Sequence, residues 1–117
     1  SEICNFFKMQ INQLRKLNFS FNKIILDPGI GFGKTLDHNL LILNNLNIIR
    51  KLGHPVAIGT SRKSFIGEIL GLPTKDRIEG SISSNIVAII NGANIIRVHD
   101  IAEMKKAVFV LDRILKV

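Results

Sequence analysis

The stretch that decides the fold runs Asp27-Pro-Gly-Ile-Gly-Phe-Gly-Lys-Thr35. An apolar run, Ile24-Ile25-Leu26, precedes it, and an amphipathic helical pattern begins near Asp37. The stretch therefore predicts a strand that ends at a carboxylate, followed by a glycine-rich turn into a helix. Alternating glycines let a backbone turn tightly and approach a flat or anionic ligand. Since ligands of parallel α/β folds bind beyond the strand ends, Asp27 is a candidate functional residue.

Two phosphate-binding motifs resemble this stretch without matching it. A P-loop ending in Gly33-Lys34-Thr35 needs a glycine at position 28, which is Pro28. The dinucleotide fingerprint G-x-G-x-x-G fails because the three glycines alternate. A P-loop-like nucleotide-binding module is therefore kept as an alternative, which an ATP titration would test.

Composition indicates one globular unit. The chain has 117 residues, of which 46% are hydrophobic and 21% charged. No apolar run has the roughly 20 residues of a membrane span, and the single cysteine, Cys4, allows no internal disulfide. We therefore predict a cytoplasmic protein without a membrane partner. The net charge is +7, but the basic residues are scattered, which argues against nucleic-acid binding.

Strand-like and helix-like segments alternate along the chain. We predict strands over about 23–26, 55–59 and 94–98, and helices over about 1–17, 37–52, 63–70, 76–91 (with a break near Gly80-Ser81) and 100–115. The strands are apolar without alternation, as in parallel sheets that are buried on both faces. Strand ends recur after about 30 to 40 residues, the length of one unit of a (β/α)₈ barrel. Because three parallel strands would leave bare edges, we predict that residues 1–117 form one partial domain, the C-terminal part of a larger barrel.

Polar residues follow each predicted strand. Arg97 and His99 are two positions apart and share a face, so they could clamp a phosphate or diphosphate. In the alternative, Arg97 pairs with Asp100 and His99 caps the last helix. A carboxylate such as Asp27 suits an amine or guanidine-like edge.

The second strand end carries small residues and then a lysine. Ala57, Gly59 and Ser61 share one face, so a ligand can lie close to the backbone there. Lys63 has the same parity and could donate to a ring carbonyl or nitrogen. The alternative is a solvated turn. His38 and His54 lack a second ligand at metal-binding spacing, so we predict surface positions for both and no metal site within this chain.

Four ordered motifs together resemble one enzyme family. They are Asp27–Thr35, Gly59-Thr-Ser-Arg-Lys-Ser-Phe-Ile-Gly67, Arg77-Ile-Glu-Gly-Ser81 and Arg97-Val-His-Asp100. In this order and spacing the chain resembles roughly the C-terminal two-fifths of dihydropteroate synthase. The resemblance implies a TIM barrel of which helix 5 and strand–helix units 6 to 8 are present.

The resemblance also implies a reaction and site roles. In the family, 6-hydroxymethyl-7,8-dihydropterin diphosphate condenses with p-aminobenzoate to give 7,8-dihydropteroate and diphosphate. Mg²⁺ accompanies the diphosphate and is bound mainly by an asparagine that this chain does not contain. By motif, the carried-over roles are Asp27 on the pterin, Lys63 on the pterin and p-aminobenzoate, Phe32, Gly59 and Ser61 on the p-aminobenzoate side where sulfonamides compete, Arg97 and His99 on the diphosphate, and Arg62 as loop support. Lys63, Arg97 and His99 would be the catalytic residues.

The resemblance further implies a homodimer through the helices after strands 6 to 8. The candidate exposed apolar contacts are Ile86, Ile90, Val108 and Leu111, which could equally well be ordinary core residues. We expect the isolated chain to be inactive, since it lacks the rest of the pterin pocket, and to be poorly folded as a monomer. Two alternatives stay open: a pterin-binding methyltransferase domain acting on a corrinoid, and a non-catalytic truncated remnant.

Overall fold

A computed structural model describes residues 2–61 and 63–117. Six α-helices, two short strands and two 3₁₀ turns are present in this described part of the chain. In chain order these are α1 (Glu2–Lys16), a 3₁₀ turn (Phe21–Lys23), α2 (Leu36–Asn44), α3 (Leu46–Arg50), β1 (Ala57–Ile58), α4 (Ser64–Leu70), a second 3₁₀ turn (Thr74–Asp76), α5 (Ile78–Ile90), β2 (Ile95–Ile96) and α6 (Ile101–Leu115).

Three parallel segments form the sheet, as the sequence predicts. β1 pairs with β2 in parallel, with Ala57 opposite Ile95, and Leu26 makes a parallel bridge to Val56. All three segments are shorter than predicted, and the predicted strand 23–26 is reduced to the bridge at Leu26. Its predicted first residue, Lys23, lies in the 3₁₀ turn.

Only the central segment of the sheet is fully covered. Val56 and Ile58 are completely buried, whereas Ile25 and Ile95 on the two outer segments are 55% and 40% exposed. The prediction that all three strands are buried on both faces is therefore wrong for the outer two. These segments retain apolar surface that a neighbouring strand or helix could cover.

The predicted helix over 37–52 is two helices, because Asn45 interrupts it. The Asn45 side-chain amide donates to the carbonyl of Leu41 at 2.9 Å, and its backbone N–H bonds Ile42 instead. An asparagine side chain thus takes the carbonyl that a continued helix would have used. The core lies between these helices and the sheet; its most buried large residues include Ile30, Leu46, Val56 and Ile58.

The predicted break at Gly80-Ser81 is wrong, since α5 is continuous there. A Cβ on Gly80 would lie 2.3 Å from Ile66 Cγ2, so the glycine serves close helix packing and not a break. Of the proposed dimer contacts, Ile90 is exposed, Ile86 and Val108 are half-buried and Leu111 is buried. Leu111 lies on the core side of α6, so the core interpretation holds for it and the dimer-contact interpretation does not.

His54 is also buried, against the prediction of a surface position. Its ring stacks on Phe21 with 4.1 Å between ring centroids, which removes it from solvent. His38 is exposed, as predicted. None of the described helices is long and apolar enough to cross a membrane.

Candidate active site

The glycine-rich turn follows Leu26 at the carboxyl end of the sheet. Gly29, Gly31 and Gly33 all have φ between 63° and 89°, the left-handed region that glycine adopts without a steric penalty. Asp27 closes the start of the turn, because its Oδ1 accepts the Gly29 N–H at 2.8 Å. The predicted conformational use of the glycines is confirmed.

Two further side chains hold this turn, and the sequence motifs had not singled out either for that role. The buried Asn39 of α2 accepts the Gly31 N–H through its Oδ1 at 2.9 Å. Lys34 Nζ donates to the Gly29 carbonyl at 2.8 Å. An asparagine at a buried helical position is the one sequence signal that could have pointed to Asn39, since the helix interior disfavours it.

Lys63 reaches over the turn from the second strand end. Its Nζ donates to the Ile30 carbonyl at 2.6 Å and lies 4.7 Å from the centroid of the Phe32 ring. Burial lowers the pKa of Lys63 below its ordinary value of 10.5, and the charges of Arg97 and Lys34 add to this lowering. The charge of Asp27 opposes this lowering, so three charged groups act on the Lys63 ammonium at this end of the sheet.

Arg97 comes from the end of β2 and pairs with Asp27. Its Nη1 donates to Asp27 Oδ2, while its guanidinium lies on the backbone of Gly59, where a Cβ would be 2.8 Å from Nη2. Asp27 is therefore the ion-pair partner of Arg97, rather than Asp100 as in the alternative considered from the sequence. The small residue at position 59 is what lets the guanidinium approach.

His99 is positioned by Ser61 and not by Arg97. Ser61 Oγ accepts the His99 backbone N–H at 3.0 Å and lies 3.1 Å from His99 Nδ1. Ser61 is buried, whereas His99 is exposed at the edge of the site. The serine hydroxyl thus orients the imidazole. Phe32, predicted as a wall of the site, has 72% of its surface exposed and contacts the Lys63 ammonium.

A buried polar network behind β1 was not predicted. Thr60 Oγ1 donates to Asn85 Oδ1 at 2.7 Å, and Ser84 Oγ lies 2.8 Å from Thr60 Oγ1. Thr60 directly precedes Ser61, so the network anchors the second strand end to α5. The loop role predicted for Arg62 lies outside the described residues.

The described residues do not fit a Mg²⁺ site. They contain no cluster of three or more histidine, cysteine, aspartate or glutamate side chains. Asp27, the carboxylate that contacts Arg97 at this end of the sheet, already accepts from Gly29 and Arg97. A hard divalent cation needs several free oxygen ligands. The described residues at this end of the sheet do not supply such a set.

The comparisons with known proteins agree with one another. Residues 1–99 match the family model described as pterin binding enzyme. The chain is 44% identical to a dihydropteroate synthase of Clostridium beijerinckii over 116 residues, covering 98% of this chain and 43% of the relative. It is 46% identical to the Bacillus subtilis enzyme of that name over 92 residues, covering 79% of this chain and 32% of the relative.

Solved structures give the same family. The Yersinia pestis dihydropteroate synthase superposes with a TM-score of 0.96 at 36% identity, over 99% of this chain and 55% of that one. A dihydropteroate synthase from Clostridium difficile, crystallised in the presence of pteroic acid, gives 0.93 at 42% identity, over 97% and 43%. The chain thus spans less than half the length of the curated relatives that it matches. With a family model that matches most of its residues and the folds of these enzymes along nearly its whole length, the chain belongs to the pterin binding enzyme family.

Proposed function

We propose that residues 1–117 form the C-terminal part of a (β/α)₈ barrel, helix 5 with units 6 to 8, in a dihydropteroate synthase. That enzyme would condense 6-hydroxymethyl-7,8-dihydropterin diphosphate with p-aminobenzoate. One observation carries the proposal: Asp27, Lys63 and Arg97, from three successive strand ends, converge within electrostatic reach of one another. Active sites of (β/α)₈ enzymes are built from such strand ends.

Asp27 would bind the amino-pyrimidine edge of the pterin. Its two oxygens each accept one hydrogen bond, from Gly29 and from Arg97. A carboxylate has about four acceptor positions, so Asp27 can accept further N–H groups without losing either bond. Its attachment to the glycine turn fixes the direction in which those free positions point.

Lys63 and Phe32 would contact the ring systems. The Lys63 ammonium keeps two protons beyond the one it donates to Ile30, and these can reach a ring carbonyl or nitrogen. Phe32 offers an exposed aromatic face beside that ammonium. A planar p-aminobenzoate could stack there, with Gly59 and Ser61 leaving room along the backbone.

Arg97 and His99 would stabilise the departing diphosphate. The bond between the pterin methylene and the diphosphate oxygen breaks first, and its electron pair leaves with the diphosphate. Positive donors placed at a developing negative charge lower the barrier of such a step. The neutral aniline nitrogen then attacks the cationic methylene and releases a proton to solvent. This route needs no nucleophilic side chain.

Several parts of the proposal concern the complete protein. Mg²⁺ would accompany the diphosphate and be held mainly by a residue outside this chain. The protein would act in the cytoplasm as a homodimer through the helices after units 6 to 8, where Ile90 is exposed. Neither a corrinoid methyltransferase nor a P-loop module is favoured, because the first has no diphosphate to hold and the second needs a longer loop.

The test is a hybrid barrel, in which this chain replaces the matching segment of the Clostridium beijerinckii relative. We expect the hybrid barrel to form dihydropteroate and the isolated chain to form none. Lys63→Ala and Arg97→Ala should each remove about 1.5–3 kcal/mol of transition-state binding, or about 10- to 150-fold in kcat/KM. Lys8→Ala and Arg15→Ala, which remove exposed charges from α1, are the matched controls.

Three outcomes would count against the proposal. A change below about threefold in kcat/KM for both site variants would contradict the assigned roles. Product formation by the isolated chain would contradict its dependence on the rest of the barrel. A hybrid barrel that folds cooperatively and stays inactive would favour the truncated remnant.

A further inference from the structure

The first residue of the motif Arg77–Ser81 lies behind the substrate site described above, where its side chain contacts both ends of α4. Arg77 Nε donates to the Leu72 carbonyl at 3.0 Å, just beyond the end of α4. Its Nη1 lies 3.4 Å from the carbonyl of Lys63, the residue that precedes α4. One guanidinium therefore connects the two ends of α4, with the bond to Leu72 the shorter of the two.

Two glycines bring α4 and Arg77 into close contact. A Cβ on Gly67, in the middle of α4, would lie 2.3 Å from Arg77 Nη2 and 2.6 Å from its Cζ. Gly80 of α5 makes the reciprocal contact, with Ile66 of α4 filling the space of its missing side chain. Ile66 is buried. Side chains from each helix thus lie against the backbone of the other, and small shifts of α4 are resisted by close packing.

The position of α4 fixes the position of Lys63. Lys63 is the N-cap residue of α4, and its backbone N–H bonds the Thr60 carbonyl at 3.2 Å. From there its side chain extends across the backbone of Gly31, and Nζ donates to the carbonyl oxygen of Ile30 at 2.6 Å. A displacement of the α4 N-terminus would therefore move the ammonium out of its half-buried place beside Phe32.

We propose that Arg77 is a positioning residue for Lys63, acting through the backbone of α4, and that Gly67 supplies the space in which it works. The catalytic consequence rests on the proposed function, whereas the positioning itself does not. Besides burial, the charged groups that act on the Lys63 ammonium are Arg97, Asp27 and Lys34. All three should remain in place when Arg77 is changed.

Two substitutions in the hybrid barrel separate positioning from simple stabilisation. Arg77→Gln removes the guanidinium. Gly67→Ala keeps it but pushes it off α4, while alanine itself favours a helix over glycine by up to about 1 kcal/mol. Lys75→Gln and Glu68→Ala are neighbouring exposed controls. Direct titration of Lys63 Nζ by ¹⁵N NMR is the main readout, with Lys63→Arg used to assign the signal, and urea unfolding gives stability.

In both variants we expect the pKa of Lys63 to rise toward 10.5, because the ammonium becomes better solvated. The controls should leave it unchanged. We also expect kcat/KM to fall by about 10- to 100-fold, as for a misplaced catalytic group. If Arg77→Gln fails to fold, Gly67→Ala decides alone. A Lys63 titration that stays at its unsubstituted value in the folded variants would overturn the proposal, even if their stability falls. Because NMR needs no turnover, an inactive hybrid barrel would refute the proposed function and still leave the positioning of Lys63 decided.

Discussion

Substituting Gly59 by alanine would test the interaction of Arg97 with Asp27, because it should displace the guanidinium without removing any charge. The new Cβ would lie 2.8 Å from Nη2 and 3.2 Å from Nε of Arg97. Gly59 is not among the glycines with positive φ, so its backbone accepts alanine. The Arg97 side chain is 54% exposed and flexible, and we therefore expect the guanidinium to swing away from Asp27.

Gly59→Ala should change the free energy of unfolding only slightly and lower kcat/KM strongly. An ion pair with side chains 54% and 32% exposed contributes only about 0–1 kcal/mol. The reduced entropy of the unfolded chain offsets this by about 0.4–1 kcal/mol. Net stability should thus change by less than about 1 kcal/mol. If Arg97 stabilises the diphosphate, the loss of its charged hydrogen bonds costs about 1.5–3 kcal/mol, or about 10- to 150-fold in kcat/KM.

A double-mutant cycle in the hybrid barrel provides the assay. Gly59→Ala, Arg97→Ala and the double variant would be compared by kcat/KM and by the urea midpoint. We expect Gly59→Ala to have little further effect once Arg97 is alanine, because both changes remove the same contact. Effects on kcat/KM that multiply would refute the reasoning, since the added methyl group would then act somewhere other than on Arg97.

Three other substitutions in the hybrid barrel test separate features. Because the pKa of Lys63 lies below 10.5, its ammonium is lost as pH rises through that lowered pKa, and pterin affinity measured by calorimetry should fall there. The variant Lys63→Arg stays protonated and should abolish this alkaline loss of affinity. If the loss persists in Lys63→Arg, Lys63 is not its cause. Asn85→Leu leaves the buried Thr60 hydroxyl without its acceptor and should lower the free energy of unfolding by about 1–3 kcal/mol, against less than about 0.5 kcal/mol for the exposed control Ser83→Ala; equal urea midpoints would contradict this. His54→Phe keeps a ring at the stacking position and removes a buried Nδ1 that has no partner among the described residues, so the urea midpoint should rise by the equivalent of about 1 kcal/mol, and a fall would contradict this account.

Local chemistry made several elements predictable from the sequence. Gly71 ends α4 in the left-handed conformation, and the bounds of α4 and α6 lie within about one residue of those predicted, an ordinary boundary error. The apolar runs around Leu26, Val56 and Ile95 gave the parallel order of the sheet correctly. The helix ends depend on residues near one another in the chain, and the parallel order follows from apolar runs that recur with a helix between them, so sequence patterns record both.

Features that depend on distant partners were missed. The interruption at Asn45 follows from a choice between two hydrogen bonds that periodicity cannot express. Glycine disfavours a helix interior, so Gly80 was predicted to break α5. The close approach of Ile66 from α4 explains why a glycine lies within a continuous helix. His54 is buried because Phe21, 33 positions earlier, packs on it. The errors at Gly80 and His54 arose where a tertiary contact overrode a local preference, whereas the error at Asn45 arose from a local side-chain hydrogen bond.

The site was predicted as a set of residues but not as a set of pairs. Strand parity grouped Arg97 with His99, whereas the structure bonds Arg97 to Asp27 and His99 to Ser61. Parity fixes the face on which a side chain lies, but partner choice depends on reach across neighbouring strands. Arg97 can reach Asp27 because the intervening position is Gly59.

The proposed reaction needs a carboxylate for the pterin and a guanidinium for the diphosphate at one site, and the Asp27–Arg97 ion pair holds both there. An isolated arginine here would be free to turn into solvent, and holding it for a diphosphate would cost side-chain entropy at each binding event. Pairing with Asp27 places the guanidinium over Gly59 before any substrate arrives. Only one of its nitrogens donates to Asp27 Oδ2 in this pair, and a guanidinium carries five N–H donors, so donors are left for an anion. With Lys63 and Lys34 nearby, one carboxylate faces three cations, and the net positive charge that remains suits a diphosphate better than a neutral ligand.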